Sequence, residues 1–415
     1  MNKLVKNADI DLDESVFGDR TVQSVLDTDL YVLNMMSATM HQCANFANNG
    51  KFRFICRSNV DLRPYASEIR QELDKLETLG LTLDQKQYLE HHATWLKKDF
   101  IEYLRLFRFN TKFLHIGNSG KQLEIEVDAP VLNGMPFEMP VLSTVSEVYN
   151  RNVNGHIKHE DLRKSVMKQV ASLSARIAAD PEGMKDFKFA DFGTRRRFSF
   201  ESQRLLVETM KKAFPDHFVG TSNVHLAKEY NVKPIGTMAH LWQMLFQQSG
   251  CRVENSVEES LEAWVREFRG ELGYALTDTL TTDHFFKKFD KFFGLLYTGL
   301  RHDSGCPYEF GEKAIAHYEK LGIDPKSKVL IFSDGLTLEK AIDIYYRFKD
   351  RINVSFGIGT FLTNNIDGVD AISIVMKLIR VNGEPVAKLS DDAGKELCEE
   401  DYFLDYIKRS IRGAK

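Results

Sequence analysis

The sequence lacks several features that would place it in a broad class. Its five cysteines are scattered, without the C-x-x-C spacing of a zinc site or a disulfide framework, which favours a reducing cytoplasm. No apolar run approaches the roughly 18 residues of a membrane helix, and residues 1–20 contain no apolar core of a secretory signal. The 55 basic and 59 acidic side chains leave a net charge of -4. We therefore expect a cytoplasmic protein with neither nucleic acid nor a membrane as its main partner.

Two common phosphate-binding motifs and one kinase pattern are also missing. No G-x-x-x-x-G-K-[ST] loop occurs. The turn GIGT (357–360) does not begin a G-x-G-x-x-G fingerprint either, because position 362, where the third glycine would stand, is a leucine. The tripeptide DFG (191–193) is found in protein kinases, but here RHD follows it and the glycine-rich loop is absent. Phosphate binding, if present, must therefore use another arrangement.

Hydrophobic periodicity divides the chain into parts. Between Ala66 and Phe109, apolar residues recur at helical intervals, and the stretch HIGNSGKQLEIEVDAPV then has the alternation of a hairpin. A second hairpin is predicted around Asn382-Gly383. We predict an N-terminal α+β domain (1–141), a catalytic α/β barrel (142–370), and a C-terminal hairpin and helix that pack back on the N-terminal domain (371–415).

The barrel prediction rests on seven short strand-like runs, each ending in polar or glycine residues and mostly followed by a helical segment. They are FKFADFGTRR, HFVGTSN, KPIGTMAH, YALTDTLT, LYTGLRHDSG, KVLIFSDGLT and NVSFGIGTFLT. Such repeats are typical of parallel strand–helix units and predict an irregular, closed or nearly closed α/β barrel. The carboxyl ends of barrel strands meet on one face, which carries the active site.

Basic residues at these strand ends predict an anion-binding pocket. Arg195, Arg196, Arg197 and Arg301 would converge there with the GIGT turn, whose backbone N–H groups can bind phosphate. The alternative is a solvated run of arginines, and strand alternation turns at least one of the three consecutive arginines away from the pocket.

Acidic residues and one histidine complete the predicted pocket. Asp303 and Asp334 could hold ribose hydroxyls or a magnesium–phosphate group, or each could cap a helix. His240, at the end of KPIGTMAH, could act as a base, a ligand or a phosphate acceptor. Asp278, one strand later, could orient its second ring nitrogen.

Taken together, these strand ends resemble a known family. The segments DFGTRRRFS, GTSNV, KPIGTMAH, LRHDSG, SDGL, FGIGT and AKLSDD, with LDTDLY near the N-terminus, closely resemble nicotinate phosphoribosyltransferases. The resemblance runs from Asp27 to Lys395 and implies a type II phosphoribosyltransferase fold. It also implies an enzyme of NAD salvage that joins nicotinate to phosphoribosyl pyrophosphate, with Mg²⁺, and couples the transfer to ATP hydrolysis through a phosphohistidine.

The resemblance implies roles for individual residues. His240 would be the phosphorylated residue, and Asp278 and Asp303 would complete the catalytic group, with no metal site built from protein ligands alone. Phe192 would stack on the pyridine ring, and Tyr31 would close its opposite face, as the family's tyrosine often does from a neighbouring subunit. A homodimer is one possibility, and the sequence leaves open whether Tyr31 serves its own pocket or that of another subunit. The other implied substrate-binding residues are Arg195, Thr221, Ser222, Arg301, Ser333, Asp334, Gly357, Gly359, Thr360, Lys388 and Ser390.

Two positions bear on how the family pattern applies here. Relatives that take nicotinamide carry an aspartate at the position of Ser222, which would repel a carboxylate, so serine favours nicotinate. Leu241 stands where the family pattern AHEW has a glutamate, so either ATP coupling is weaker or Asp278 suffices alone. A nicotinamide-preferring enzyme, a quinolinate-type enzyme and a non-catalytic phosphoribosyl-binding barrel remain alternatives.

Overall fold

A computed structural model of the protein describes residues 15–118, 120–392 and 394–413. In chain order its strands are β1 (Gly50–Cys56), β2 (Leu114–Gly117), β3 (Glu124–Ala129), β4 (Phe189–Asp191), β5 (Phe218–Thr221), β6 (Lys233–Pro234), β7 (Tyr274–Leu276), β8 (Gly299–His302), β9 (Val329–Phe332), β10 (Asn353–Ile358), β11 (Ile374–Val381) and β12 (Glu384–Pro385).

The α-helices, again in chain order, are α1 (Leu30–Gln42), α2 (Ala66–Asp74), α3 (Leu83–His92), α4 (Lys98–Leu106), α5 (Val131–Gly134), α6 (Glu138–Val153), α7 (His159–Ala179), α8 (Pro181–Met184), α9 (Phe200–Ala213), α10 (Val224–Tyr230), α11 (His240–Leu245), α12 (Ser256–Phe268), α13 (Thr282–Lys288), α14 (Lys291–Leu296), α15 (Pro307–Lys320), α16 (Leu338–Phe348), α17 (Thr360–Thr363) and α18 (Asp401–Gly413). None of the described helices combines the length and the apolar character needed to cross a membrane.

Both ends of the chain contribute to one antiparallel sheet, in the order β12-β11-β1-β3-β2. The predicted hairpin β2–β3 is confirmed. The second hairpin, β11–β12, turns at Asn382 and Gly383, which both have positive φ as a tight hairpin turn requires. Strand β11 pairs with β1 along its length, so the C-terminal hairpin lies in the same sheet as N-terminal strands. Helix α6 runs across the predicted limit between 141 and 142, and the domain limits stay a prediction.

The seven predicted strand–helix units form a second, parallel sheet in the order β6-β5-β4-β10-β9-β8-β7. Each of its seven strands lies in one of the seven runs identified in the sequence, and the α/β fold class is confirmed. The sheet curls so that the Thr237 hydroxyl, just after β6, donates to the backbone oxygen of Tyr274 in β7 over 3.3 Å. No backbone ladder between β6 and β7 is found in the described residues, so the barrel is curled but open along one seam.

Alternation along the parallel strands decides what faces the inside of the curled sheet. In β9, Leu330 and Phe332 are buried towards the surrounding helices, and Phe332 stacks against Phe348 of α16 with ring centroids 6.0 Å apart. Val329 and Ile331 point the other way and stay partly exposed. Side chains on this inner face therefore border open space, unlike the filled core of a regular eight-stranded barrel.

Candidate active site

One large cavity of about 1840 Å³ opens at the carboxyl ends of the parallel strands. It continues down the inside of the curled sheet, past Ile331 and Ser355, to Val329 and Asn353 at the strand starts. Most of the predicted site residues line it, although they come from segments up to 357 positions apart. They are Tyr31, Phe192, Arg195, Ser222, His240, Arg301, Asp303, Ser333, Asp334, Gly357, Gly359, Thr360 and Lys388.

The aromatic wall depends on a glycine that brings Phe192 close to the sheet. The backbone N–H of Phe192 donates to the Ile358 oxygen at 2.8 Å, which holds the residue beside β10. A Cβ atom at Gly357 would lie 2.3 Å from the Phe192 ring, so only glycine leaves room for it. Tyr31, in the first turn of α1, lines the same cavity from its own chain. Burial raises the pKa of Tyr31 well above its ordinary value, so the side chain stays an uncharged phenol.

Arginines crowd the cavity without enough nearby carboxylates to balance them. Burial, followed by the charges of Arg195 and Arg57, lowers the pKa of Arg196 to about 9. Burial and Arg195 also lower the pKa of Arg57. Burial and neighbouring positive charges make the charged form of these guanidinium groups unfavourable, so an anion that binds beside them stabilises it. This part of the cavity is therefore suited to carboxylate or phosphate.

Arg197 does not belong to this group. It is fully buried, and its two terminal nitrogens donate to the Asp27 oxygens at 2.8 and 2.9 Å, with a further bond to the Thr21 oxygen at 2.7 Å. The prediction that Arg197 joins the anion pocket is wrong, whereas the expectation that one of the three arginines turns away is confirmed. The Asp27–Arg197 pair instead ties the segment before α1 to the turn after β4.

His240 begins helix α11 and is held by two carboxylates. Its Nε2 lies 2.8 Å from Asp278 Oδ1, as predicted, and 3.8 Å from Asp303 Oδ2. The other oxygen of Asp278 accepts from Ser304 Oγ at 2.6 Å and lies 2.9 Å from Lys388 Nζ. Asp278 is buried behind the imidazole and does not itself line the cavity.

Electrostatics fix the protonation state of this cluster. Burial and the positive charge of Lys388 lower the pKa of His240 to about 4, although Asp278 opposes them. Burial alone would raise the pKa of Asp278, but His240 and Lys388 outweigh it and hold that pKa well below its ordinary value. A neutral imidazole that donates Nε2–H to Asp278 keeps a lone pair on Nδ1. That nitrogen is the nucleophile that a phosphoryl-accepting histidine needs.

Leu241, the departure from the family pattern, is buried and follows His240 directly in the chain. It lines a small cavity with Phe52, Met244 and Met376, and the same cavity is bordered by His240, Glu138 and Lys377. A leucine offers no polar group to the imidazole. Asp278 therefore supplies the carboxylate that contacts His240 in this chain.

Oxygen ligands gather at the ends of β8 and β9. Ser333 Oγ donates to Asp303 Oδ1 at 2.9 Å, and Lys395 lies 3.4 Å from Asp334 Oδ2. Polar atoms of His240, Asp278 and Asp303 lie within 4.8 Å of one another, but the proton on His240 Nε2 and the ammonium of Lys388 already satisfy Asp278. The carboxylates of Asp303 and Asp334 are partly exposed to the cavity. They would be suitable ligands for a magnesium ion that is also held by the oxygens of a diphosphate substrate.

Two predicted substrate-binding residues lie behind the wall. The Thr221 hydroxyl donates to buried Asp191 at 2.6 Å, because strand alternation turns Ser222, and not Thr221, towards the cavity. Ser390 is buried with φ of 66° and does not line the cavity. Neither position supports direct contact with a substrate.

Several cavity-lining residues were not singled out from the sequence. Asp29 lies two residues before Tyr31 inside LDTDLY, and the Ser222 hydroxyl donates to its Oδ1 at 2.7 Å. The others reach the cavity from the antiparallel sheet and from α6: Arg57, Lys377 and Glu138. Only the position of Asp29 within a quoted motif offered a signal.

Comparisons with known proteins agree with this geometry. A family model described as "Nicotinate phosphoribosyltransferase (NAPRTase) family" matches residues 187–413, and one for the N-terminal domain of that family matches residues 26–146. The chain is 49% identical over 401 residues to a nicotinate phosphoribosyltransferase of Ectopseudomonas mendocina, covering 97% of this chain and 99% of the relative. It is 49% identical over 395 residues to nicotinate phosphoribosyltransferase 1 of Pseudomonas aeruginosa, covering 95% and 98%.

Solved structures give the same result. A crystal structure of nicotinate phosphoribosyltransferase from Vibrio cholerae superimposes with a TM-score of 0.91 at 38% identity, covering 96% of this chain and 95% of that one. The enzyme from Porphyromonas gingivalis gives 0.86 at 33% identity, covering 94% and 100%. The chain therefore belongs to the nicotinate phosphoribosyltransferase family.

Proposed function

We propose that this protein is a nicotinate phosphoribosyltransferase of NAD salvage, which joins nicotinate to phosphoribosyl pyrophosphate and releases pyrophosphate. The observation that carries the proposal is that Phe192, Tyr31, Arg195 and the carboxylate of Asp303 line one and the same cavity. An aromatic slot beside cations suits a planar ring with a carboxylate, and strand-end carboxylates suit ribose hydroxyls. The names of the relatives at 49% identity support the same reaction.

Binding of the pyridine ring is assigned to Phe192 and Tyr31, with Arg195 beside the carboxylate. Both aromatic residues line the same cavity of a single chain. Assembly into a homodimer, and a cytoplasmic location, stay predictions, the latter supported by five cysteines that are all free thiols.

Gly357→Ala tests the ring slot. The added methyl would lie 2.3 Å from the Phe192 ring and would push it into the space assigned to the pyridine. We expect the KM for nicotinate to rise about tenfold, the size of one lost aromatic contact, with a smaller change in the KM for phosphoribosyl pyrophosphate. Gly413→Ala is the matched control, because nothing lies within 4 Å of its Cβ position. Equal nicotinate KM values for both variants would contradict the slot.

Transfer itself needs charge stabilisation more than proton chemistry. The pyridine nitrogen forms a bond to C1 of the ribose while the C1–O bond to pyrophosphate breaks, through an oxocarbenium-like state. Asp303 would hold the ribose hydroxyls, and Arg301 and Lys388 would stabilise the phosphates. Asp303 and Asp334 would be the residues that hold a Mg²⁺ ion, which would supply positive charge to stabilise the pyrophosphate as it leaves.

ATP coupling is assigned to His240. Nδ1 would attack the γ-phosphorus of ATP, the bond to ADP would break, and water would later release phosphate from the phosphohistidine. The hydrogen bond from Nε2 to Asp278 orients the ring for this attack and stabilises the positive charge that develops on it.

Ser222→Asp tests the choice of substrate. A carboxylate at this position of the cavity wall would repel the nicotinate carboxylate and accept a hydrogen bond from an amide. We expect the ratio of kcat/KM for nicotinate to that for nicotinamide to fall at least about tenfold, an energy of 1.4 kcal/mol. An unchanged ratio would mean that Ser222 does not contact the substrate carboxylate.

The reaction can be tested with purified protein, labelled nicotinate and phosphoribosyl pyrophosphate, with and without ATP. We expect nicotinate mononucleotide and pyrophosphate in equal amounts, with faster formation when ATP is present. Preference for nicotinamide would indicate the amide-specific relative instead. Absence of any nucleotide from either substrate would leave only a non-catalytic binding barrel.

A further inference from the structure

The serine that faces the proposed nicotinate site is backed by a buried acid. Asp29 is 5% exposed, and its Oδ1 accepts the Ser222 hydroxyl at 2.7 Å. Although Asp29 stands at the N-cap of α1, its side chain makes no capping hydrogen bond there. The backbone N–H of Leu30 donates to the Ser222 oxygen at 2.8 Å, which fixes the two residues side by side. Both line the cavity.

The direction of this one hydrogen bond decides which ligand Ser222 can serve. A hydroxyl has a single proton to donate. While Asp29 is ionised, Ser222 gives that proton to Asp29 and turns oxygen lone pairs towards the cavity, where they suit the N–H of an amide. When Asp29 is protonated it donates to Ser222 Oγ, and the serine proton becomes available to a carboxylate. An ionised Asp29 would also repel a carboxylate across the serine.

We propose that Asp29 is a specificity-determining residue, which takes up one proton as a pyridine carboxylate binds at Ser222 and so selects the acid over the amide. The inference rests on the proposed function of the same cavity and adds a residue and a proton to it. No bond other than the Asp29 O–H is made, and the proton comes from solvent.

The groups around Asp29 act on its pKa in opposite directions. Burial raises its pKa above the ordinary value, while the hydrogen bonds of Ser222 and Thr194 and the arginine charges oppose the shift. The titratable and charged groups that face it are Arg195 and Arg197 after β4, Asp191 in β4, Glu138 in α6 and Tyr31 in α1. Of these, Glu138 and Asp191 also have pKa values raised by burial, so the test must separate them from Asp29.

The direction of the pH effect follows from the proton count. Nicotinate binds the form with Asp29 protonated, and nicotinamide binds the form with Asp29 ionised. Raising the pH through the pKa of Asp29 therefore weakens nicotinate relative to nicotinamide. Above that pKa the selectivity ratio is expected to fall about tenfold per pH unit, as one coupled proton requires.

The experiment measures selectivity against pH in the full-length enzyme. The kcat/KM for nicotinate and the inhibition constant of nicotinamide are determined together from about pH 6 to about pH 9, and their product gives the selectivity. Effects shared by both ligands cancel in this product. The wild type should show selectivity that falls with pH. Asp29→Asn, whose amide can donate permanently to Ser222, should show selectivity that favours nicotinate and does not change with pH.

Two further variants locate the titrating group. Ser222→Ala removes the relay and should give a shallower fall with weaker preference for nicotinate, because only the direct repulsion by ionised Asp29 then remains. Glu138→Gln removes a neighbouring buried acid and should keep the downward slope. A sloping profile in Asp29→Asn, or a flat profile in the wild type, would overturn the inference while product formation still supports the enzyme.

Calorimetry provides a readout without turnover. Nicotinate is titrated into the enzyme in two buffers of different ionisation enthalpy, at a pH within the range where the selectivity of the wild type falls. We expect about one proton taken up per nicotinate bound by the wild type and none by Asp29→Asn. Equal uptake in the two proteins would overturn the inference. Failure of nicotinate to bind at all would overturn both it and the proposed function.

Discussion

Replacing His240 with alanine is expected to abolish the stimulation by ATP and to leave a slower transfer that does not depend on ATP. Asp278 holds the imidazole of His240 at the cavity wall, and the free Nδ1 of that ring has no substitute once the ring is removed. ATP hydrolysis linked to the reaction should fall roughly a thousandfold or more, as when a catalytic nucleophile is lost. Rates of nucleotide and ADP formation, measured with and without ATP, provide the test.

A second histidine serves as the control for this variant. His317 lies in α15 and is partly buried, and its Nε2 is hydrogen-bonded to the backbone oxygen of Phe289 at 2.6 Å. It does not line the cavity. His317→Ala should keep the full response to ATP even if it costs some stability. Stimulation of His240→Ala equal to that of the wild type would show that the phosphohistidine is assigned to the wrong residue.

Replacing Asp27 with alanine is expected to destabilise the fold strongly. The variant leaves the guanidinium of Arg197 buried without its countercharge, and it also removes the acceptor for Asn223 Nδ2 at 2.7 Å. Breaking a buried ion pair on one side costs about 3–5 kcal/mol of the free energy of unfolding. Urea denaturation at neutral pH measures the loss. Glu312→Ala, which breaks exposed pairs with Arg347 and Arg351, should cost only about 0.5–1 kcal/mol.

The same pair predicts how this loss depends on pH. Burial raises the pKa of Asp27, but the charge and hydrogen bonds of Arg197 outweigh it, so the folded-state pKa lies below the ordinary value of 3.8. The carboxylate therefore stabilises the fold fully above its unfolded pKa, and the contribution is lost as the pH falls through the folded-state pKa. The stability difference between wild type and Asp27→Ala should shrink in acid. A difference that grew in acid would contradict the pairing.

Much of the site was readable from the sequence because it lies at strand ends. Parallel strands place their carboxyl ends together whatever the distance along the chain. The runs ending at Phe192, His240, Asp303 and Gly357 therefore identified residues that do meet in one cavity. The contact between His240 and Asp278 followed from the same rule, since adjacent strand-end loops bring their side chains within reach.

What the sequence did not reveal depends on which way single side chains turn. Arg195 and Arg197 differ by two positions, yet one faces the cavity and the other faces Asp27, because the 3-10 turn at Thr194–Arg196 changes the period of alternation. Asp29 and Ser222 are 193 residues apart in the chain, and the sequence around each of them gives no sign that they form a hydrogen bond. Lys377 reaches the cavity from the antiparallel sheet. The rule that parallel strands place their carboxyl ends together does not predict how that other sheet packs against the barrel.

The claim that tests the whole account is that one cavity holds the pyridine ring beside the phosphates. A crystal structure of the enzyme with nicotinate and a non-hydrolysable analogue of phosphoribosyl pyrophosphate tests it directly. The account predicts the ring between Phe192 and Tyr31, its carboxylate at Ser222 and Arg195, and the ribose at Asp303. Ligand density outside this cavity, or a ring that contacts neither aromatic residue, would contradict it.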